Sequence, residues 1–445
     1  VTLEQLSYLG WRPAADEGAF AAIPENLFPL PHETSVKYED AKGSLPTFEP
    51  VITDSIWPVE RTEGQYTRAK FVAAPMPAGT KFAWDFGDGQ SGAGESIEHV
   101  YLLADKIYMV TLTCEGPNGK HSAKWPLEIF DIEHVTDQYK EGRPKDYAKL
   151  SKTYDLAKLE MLALRELAHL FAEAEENADA IKTCEDFVKR FSSADPFVVA
   201  RVKRLLADCQ LRTGASNLEA AIANYRASVI DKMPASEQLQ VLGRLIRLLG
   251  VERGEPDKAL EVYKQVEELL KKSRPDEDGL KAHRQVLMAA GDAMLWGNKT
   301  NAAREFYAKA EALRENPIPP QVRAAKIGSY PNSLREYLAG GNHGAAIDLV
   351  NEWEDFFPTD KLNGQTFFWR GKLFTLRGQP VEGAKYLARA VEVTLGATYE
   401  TEARWLLAQA LEQSGKLAEA KRELQKLIKT GFNDEYTKKA REKLK

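Results

Sequence analysis

Two aspartates stand three positions apart in a glycine-rich turn, the stretch WDFGDG at residues 84–89. Carboxylates at this spacing can bind a hard cation, act as a general acid and base, or accept backbone N–H groups that hold a turn. Calcium takes about six to eight oxygen ligands, so Asp85 and Asp88 alone are weak candidates for a metal site. No nucleophile or second carboxylate cluster lies in the same segment, and we therefore expect a structural turn.

The rest of the chain lacks the motifs of the common catalytic centres. It contains no HExxH, no GxSxG, no phosphate-binding GxxxxGK[ST] and no GxGxxG after a strand. Its seven histidines are scattered, with no pair at metal-ligand spacing on one helix face. The sequence therefore predicts a protein that is not an enzyme and has no cofactor.

Three cysteines, Cys114, Cys184 and Cys209, are too few for a disulfide framework. Cys184 and Cys209 fall on successive predicted helices that should face each other. In an oxidising compartment they could form a bridge. The alternative, which we favour, is two buried thiols that pack as small hydrophobic residues.

Composition excludes several classes of ligand. With 445 residues, of which 43% are hydrophobic and 28% charged, the chain is typical of a folded protein with more than one domain. The formal net charge of −6 argues against nucleic acid or an anionic membrane as the main partner. No apolar run approaches the length that spans a bilayer.

Residues 50–135 are predicted to form an all-β, immunoglobulin-like sandwich. In the run IYMVTLTCE, apolar and polar side chains alternate with the period of a strand that buries one face. Several such short runs are separated by Pro, Gly and Asn, and residues 117–119 read as a hairpin turn.

The quoted turn and the strands after it resemble the PKD (polycystic kidney disease) domain. The matching positions are residues 84–89, then His99 and Tyr101, then the run from Tyr108 to Leu112. The resemblance implies an extracytoplasmic domain that contacts proteins or polysaccharides. It also favours a structural role for Asp85.

Residues 136–445 are predicted to form an all-α solenoid of about seven helical hairpins. In the clearest unit Ala408 lies in one apolar stripe, Gly415 breaks the helix, and Ala420 lies in the next stripe. A small residue followed by an apolar one at +4 recurs every 36 to 44 residues. The small residues are Ala180, Ala221, Ala259, Ala303, Ala346, Ala384 and Ala420. This pattern resembles the tetratricopeptide repeat, which implies a surface for binding proteins.

Aromatic residues concentrate in the fifth and sixth of these units and predict a partner-binding surface there. Trp, Tyr and Arg dominate binding hot spots, and more rings are present than one helix seam buries. The residues predicted to bind a partner are Tyr330, Trp353, Phe356, Phe357, Phe368, Trp369, Arg370 and Arg377. Pure core packing is the equally weighted alternative.

Residues 1–49 are rich in proline and carry isolated aromatic residues, including Trp11, Phe20 and Phe28. We expect an extended arm that docks through these rings on its own solenoid or on a neighbouring copy, with a mobile leader as the alternative. The chain begins at Val1 without a targeting segment, so either such a segment has been removed or the sequence was shortened; the extracytoplasmic location that the resemblance implies favours removal.

Taken together, these patterns predict a non-enzymatic scaffold outside the cytoplasm, in the periplasm or at the cell surface, that binds partner proteins and assembles into a larger complex. The order of domains is similar to that of secreted or periplasmic proteins of planctomycete-type bacteria. The rival hypothesis is an accessory protein that binds polysaccharide through the sandwich. Exposed coplanar aromatic rings on the strands would favour that rival.

Overall fold

A computed structural model describes residues 46–56, 64–117, 119–130, 143–314, 318–393, 396 and 398–445. The chain divides into two compact units, residues 1–166 (the strand unit) and residues 167–445 (the helical unit). The arm residues Trp11, Phe20 and Phe28 and the predicted boundary near residue 135 lie outside the described residues.

The strand unit contains seven described strands in two antiparallel sheets. The strands are β1 Phe48–Ile56, β2 Tyr66–Ala73, β3 Lys81–Asp85, β4 Ser91–Ala93, β5 Ser96–Tyr101, β6 Lys106–Gly116 and β7 Gly119–Ile129. One sheet has the order β1-β2-β5 and the other the order β4-β3-β6-β7. β6 and β7 form the predicted hairpin, which ends at the pair Gly116 and Gly119.

The two sheets share one hydrophobic core. Along β6, Tyr108, Val110, Leu112 and Cys114 are buried and alternate with more exposed residues, as the sequence pattern predicts. Phe71 of β2 contacts the rings of the opposite sheet, with its centroid 5.6 Å from that of Trp84. The aromatic residues of the WDFGDG stretch are therefore core anchors.

The described chain contains sixteen α-helices. They are α1 Arg143–Ser151, α2 Met161–Glu173, α3 Asn177–Arg190, α4 Pro196–Arg212, α5 Leu218–Ser228, α6 Ala235–Arg247, α7 Pro256–Lys272, α8 Glu277–Trp296, α9 Thr300–Ala312, α10 Pro320–Ala339, α11 His343–Phe356, α12 Gln365–Leu376, α13 Pro380–Val393, α14 Glu400–Gln413, α15 Leu417–Lys429 and α16 Glu435–Lys443. None of them combines the length and the apolar composition that crossing a membrane requires.

Short polar signals start many of these helices. The Asp195 carboxylate accepts the Phe197 N–H at the start of α4, and Pro196 occupies the first turn, where its missing N–H is harmless. Asp276 caps α8 and Asp434 caps α16 in the same way. The prolines and aspartates that punctuate the sequence thus set the repeat boundaries.

From α2 to α15 the described helices form seven successive pairs joined by short connections, and α16 follows as a last helix. All seven small residues of the predicted pattern lie on the second helix of a pair, and each is at most 8% exposed. Because alanine leaves little side-chain bulk, paired helices can approach closely at these positions. Most of the chain is therefore a stack of helical hairpins, and from Ala207 on α4 to Ala440 on α16 their buried residues form one hydrophobic core.

Two irregular segments interrupt this stack. A π-helical turn, Leu248–Glu252, extends α6, and a 3₁₀ segment, Pro358–Asn363, connects α11 to α12. Near them the sixth hairpin packs on the third and fourth: Lys385 donates to Glu252 at 2.6 Å, and Arg389 donates to Asn298 at 2.7 Å. These contacts bring together residues that are far apart in the sequence.

Cys184 and Cys209 are buried free thiols, as we predicted from the sequence in preference to a disulfide bridge. Burial raises the pKa of the Cys184 thiol well above its ordinary value and that of Cys209 to about 11. Both side chains therefore act as small hydrophobic residues in the structure.

Candidate functional site

The helical unit contains a cavity of about 630 Å³ that opens to solvent between hairpins, here called the inter-hairpin pocket. Its walls come from α4, α6, the π-helical turn, α8, α11, α12, α13 and the 3₁₀ segment. The residues that line it are Arg204, Leu239, Gln240, Gly243, Arg244, Arg247, Val251, Ala282, Gln285, Val286, Met288, Ala289, Asp292, Trp296, Asn351, Glu354, Asp355, Lys361, Phe367, Arg370 and Tyr386. Its volume lies within the range of about 300–1,000 Å³ that is typical of ligand sites.

Helical spacing places the lining residues in stripes. On α6 the stripe is Gln240, Arg244 and Arg247, at intervals of four and three residues that keep one face toward the pocket. On α8 the stripe includes Ala289, Asp292 and Trp296, again at intervals of three and four. The opposite faces of both helices enter the core.

Arginines of neighbouring hairpins meet in register along one wall. Arg204 Nη2 donates to Gln240 Oε1 at 3.0 Å, and one turn further Arg244 Nη1 donates to Asp208 Oδ1 at 2.8 Å. One turn further again, Arg247 has no hydrogen bond or ion pair with any described residue. The α6 stripe therefore ends in Arg247, which faces the pocket and whose positive charge no described carboxylate contacts directly.

A buried charge cluster forms the opposite wall. Lys361 is 4% exposed, and its Nζ donates to both carboxylate oxygens of Asp292 at 2.8 and 3.1 Å. The same Nζ lies 3.6 Å from Glu354 Oε2, which Arg370 Nη2 contacts at 2.9 Å. The Tyr307 hydroxyl also donates to Asp292 at 2.6 Å. The 3₁₀ segment thus supplies a buried cation that lies between two carboxylates, and Arg370 supplies the second cation of the cluster.

Burial and charge act in opposite directions on this cluster. Burial raises the pKa of Glu354, but Lys361 and Arg370 outweigh it and lower that pKa to about 2. Burial likewise disfavours the charged form of Lys361, yet Asp292 and Glu354 raise its pKa above the ordinary value. Glu354 and Lys361 are therefore both ionised at neutral pH, and their contacts hold the 3₁₀ segment against α8 and α11.

We expect acid to destabilise the helical unit through Glu354. Because its folded pKa is depressed, the stability it contributes is complete above the ordinary value of 4.5 and is lost as the pH falls toward about 2. Chemical denaturation at pH 6 and pH 3 should therefore show a smaller pH-dependent loss for Glu354→Gln than for the unsubstituted chain. Equal losses in both proteins would contradict this assignment.

An aromatic cluster closes the end of the pocket next to Arg370. The Trp296 ring lies 6.0 Å from both Phe367 and Tyr386, and Phe374 stacks on Tyr386 at 5.5 Å. The Arg370 guanidinium lies 5.8 Å from the Tyr386 ring. The pocket therefore offers flat apolar surface beside cationic groups.

Five of the eight residues predicted to bind a partner are buried, so the expectation that they are exposed is wrong. Tyr330, Trp353, Phe357, Phe368 and Trp369 are each at most 3% exposed and fill the core between helices. Tyr330 stacks on Trp353 at 5.0 Å, and each also hydrogen-bonds an acidic side chain. The irregular 3₁₀ connection and the sixth hairpin give these rings more seams to fill than a regular repeat provides.

The other three residues have different surroundings. Phe356 is half-buried beneath Arg314 and Lys326, which lie 3.9 and 3.5 Å from its ring centre. Arg377 is exposed and does not line the pocket. Arg370 is the predicted residue that does line it. Sequence reasoning missed Arg244 and Arg247, although their spacing on one face of α6 was a readable signal.

In the strand unit, Asp85 and Asp88 accept backbone N–H groups as expected of a structural turn. Asp85 accepts from Gly87 and Asp88 from Gln90, both at 3.0 Å. Asp88 also contacts His99 Nε2 at 2.7 Å. Gly87 has φ +79°, and a Cβ there would lie 2.8 Å from backbone atoms of Met109. No group of three or more His, Cys, Asp and Glu that could hold a metal occurs in the described part of the chain.

No protein-family model matches the sequence, and no curated protein matches it. Among solved structures, a tetratricopeptide repeat protein from Parabacteroides merdae shares 16% identity over 63% of this chain and 96% of its own, with a TM-score of 0.32. The quorum sensor NprR from B. thuringiensis shares 13% identity over 64% of this chain and 80% of its own, with a TM-score of 0.32. The TPR2AB-domain:pHSP90 complex of yeast Sti1 shares 15% identity over 63% of this chain and 95% of its own, with a TM-score of 0.25. These TM-scores are too low to support an inference, so the fold and the pocket rest on the contacts given above.

Proposed function

We propose that this protein is a non-enzymatic scaffold that binds a segment of a partner protein in the inter-hairpin pocket. The observation that carries the proposal is the pocket itself, to which eight helical, π-helical or 3₁₀ elements contribute side chains. It combines apolar rings with exposed polar groups such as Gln240 and Gln285. Stacked helical hairpins present surfaces of this kind to extended ligands without needing a catalytic group.

The proposal extends to the location and assembly of the protein. The resemblance of residues 84–112 to the PKD domain supports a position outside the cytoplasm, where the strand unit adds a contact or serves as a spacer. Assembly into a larger complex, with residues 1–49 docking on another copy, is part of the same hypothesis. An unchanged oligomeric mass after deletion of residues 1–40 would contradict docking of the arm.

A polysaccharide-binding accessory role is the alternative, and one observation favours it. Trp125 at 44% and Phe130 at 60% exposure are solvent-accessible aromatic side chains in the strand unit. Exposed aromatic rings provide flat apolar surface on which a sugar ring can stack. Binding of glycans to the full chain that Trp125→Ala abolishes would favour this alternative over the scaffold.

A pair of tryptophan substitutions tests the scaffold proposal. Ala289 lines the pocket, so Ala289→Trp fills it without changing charge, whereas Ala308 is exposed on α9 and outside the lining. The tagged chain, incubated with an extract of its native source, should capture a defined partner that Ala289→Trp loses and Ala308→Trp retains. Far-ultraviolet circular dichroism of both variants controls for folding. Equal capture by both variants would exclude the pocket as the binding site.

A further inference from the structure

The inter-hairpin pocket carries a surplus of positive charge. Five cationic side chains and three anionic ones line it. The cations are Arg204, Arg244, Arg247, Lys361 and Arg370, and the anions are Asp292, Glu354 and Asp355. Each of the three carboxylates is already in contact with a cation: Asp292 and Glu354 with Lys361, and Asp355 with Arg284 at 2.5 Å. An incoming cation would therefore find no free carboxylate in the lining.

Arg247 is the cation with the most to gain from a ligand. Its side chain is exposed to the pocket, and no described residue forms a hydrogen bond or ion pair with it. The carboxylates of Asp292 and Glu252 favour its charged form from a distance, and Arg370 disfavours it. A guanidinium so placed presents a fork of donors that matches a carboxylate or a phosphate.

Flat apolar surface lies beside this cation. Tyr386 and Trp296, whose ring centroids are 6.0 Å apart, both line the pocket and are half-buried. Lys385 and Arg389 lie 5.5 and 5.7 Å from the Trp296 ring on the α13 side. A ligand held on Arg247 can therefore rest an apolar group on these rings and remain surrounded by positive potential.

We propose that the inter-hairpin pocket binds an anionic group, a carboxylate or a phosphate, on Arg247, with the apolar part of the ligand against Tyr386 and Trp296. The inference rests on the proposed function, because it names the chemistry that the scaffold recognises in its partner. Arg204 lines the same wall and adds a second cation whose hydrogen bond is to a neutral group, Gln240, whereas Arg244 is paired with Asp208.

Titration calorimetry of the full chain with phenyl phosphate, phenylacetate and inorganic phosphate tests the chemistry. We expect phenyl phosphate to bind more tightly than inorganic phosphate. Arg247→Met should weaken it by about tenfold or more, since a hydrogen bond to a charged group contributes about 1.5–3 kcal/mol. Arg377→Met removes an exposed arginine outside the lining and should leave binding unchanged. Equal effects of the two substitutions would overturn the assignment of Arg247.

Capture of the partner separates this inference from the proposed function and identifies the source of the anion. If Arg247→Met loses the partner while Arg377→Met retains it, the partner supplies the anionic group, and the inference holds even when no small probe binds. If the small probes bind through Arg247 and capture is unaffected, the anion is a free small molecule. If Ala289→Trp abolishes capture while Arg247→Met changes neither capture nor probe binding, the scaffold stands and the anionic ligand is refuted.

Discussion

Replacing Lys361 with methionine is expected to lower the free energy of unfolding of the helical unit by about 3–5 kcal/mol, the effect of removing one partner from a buried ion pair. Without Lys361, the carboxylates of Asp292 and Glu354 remain buried with less compensating charge. Methionine keeps similar length and bulk, so the change isolates charge rather than volume. Guanidinium denaturation followed by the helical circular dichroism signal measures the loss.

Two comparisons give that measurement its meaning. Lys438→Met changes an exposed lysine on α16 and should shift the denaturation midpoint little. Adding Asp292→Asn to Lys361→Met should recover part of the lost stability, because one uncompensated charge is removed. A Lys361→Met protein as stable as Lys438→Met would show that the cluster does not hold the 3₁₀ segment in place.

Replacing Gly371 with alanine is expected to destabilise the sixth hairpin by about 1–3 kcal/mol, the cost of inserting an atom into a packed interface. Gly371 lies on α12 where α13 crosses it. A Cβ there would lie 2.6 Å from Leu387 Cγ, 2.9 Å from Leu387 N and 3.0 Å from Gly383 O. Because two of these atoms belong to the backbone, the helices themselves must separate. The same denaturation experiment measures the effect.

Gly328 on α10 is the matched control. It is also a helical glycine, but a Cβ there would meet no atom within 4 Å. Gly328→Ala should therefore stabilise the protein by about 0.5–1 kcal/mol through its higher helix propensity. If both substitutions had the same sign, close packing of α12 on α13 would not be the cause of the Gly371 effect.

The repeat architecture could be read from the sequence because it depends on local periodicity. Ala180, Ala303 and Ala420 stand at the same position of their hairpins, and the spacing between such residues fixes the helix pairs. Asp195 and Pro196, which start α4, were not needed for this prediction and are a detail that the structure adds. The spacing of small residues and the rule for close helix packing were sufficient for this level of description.

The pocket could not be derived in the same way, because its residues meet through contacts between distant segments. Lys361 reaches Asp292 across 69 positions, and Lys385 reaches Glu252 across 133. Which hairpin packs on which depends on the irregular 3₁₀ and π-helical connections, for which no sequence rule was available. The spacing of the stripe that ends in Arg247 can be read from the sequence, but the charge cluster around Lys361 that forms the opposite wall cannot.

The exposure of the aromatic residues was predicted wrongly for a related reason. Counting rings on α12 assumed that one regular seam is available for burial, whereas Phe368 and Trp369 enter different contacts of the same core. Phe368 stacks on Tyr399 at 5.0 Å, while Arg335 lies 5.9 Å from the Trp369 ring. The composition correctly indicated that this region is unusual, but the prediction that its aromatic rings are exposed was wrong.

In the strand unit, the hydrogen bonds within the WDFGDG turn were predictable from the sequence, but the side-chain contacts that hold the turn from outside were not. Asp85 and Asp88 hold the turn through hydrogen bonds within two residues, which local rules predict. His99 joins Asp88 to Tyr154, whose hydroxyl lies 3.1 Å from His99 Nδ1. The sandwich was predicted to end at residue 135. Because Tyr154 lies after that residue, the strand pattern could not predict its contact with His99.

Site-specific photo-cross-linking tests the central claim, that the inter-hairpin pocket holds a partner, most directly. Gln285 is exposed and lines the pocket, whereas Gln379 is exposed on the α12–α13 turn outside it. A benzoylphenylalanine at each position, irradiated in an extract of the native source, should give a discrete protein adduct at position 285 and none at position 379. Adducts at position 379 alone, or no adduct at position 285, would contradict the account.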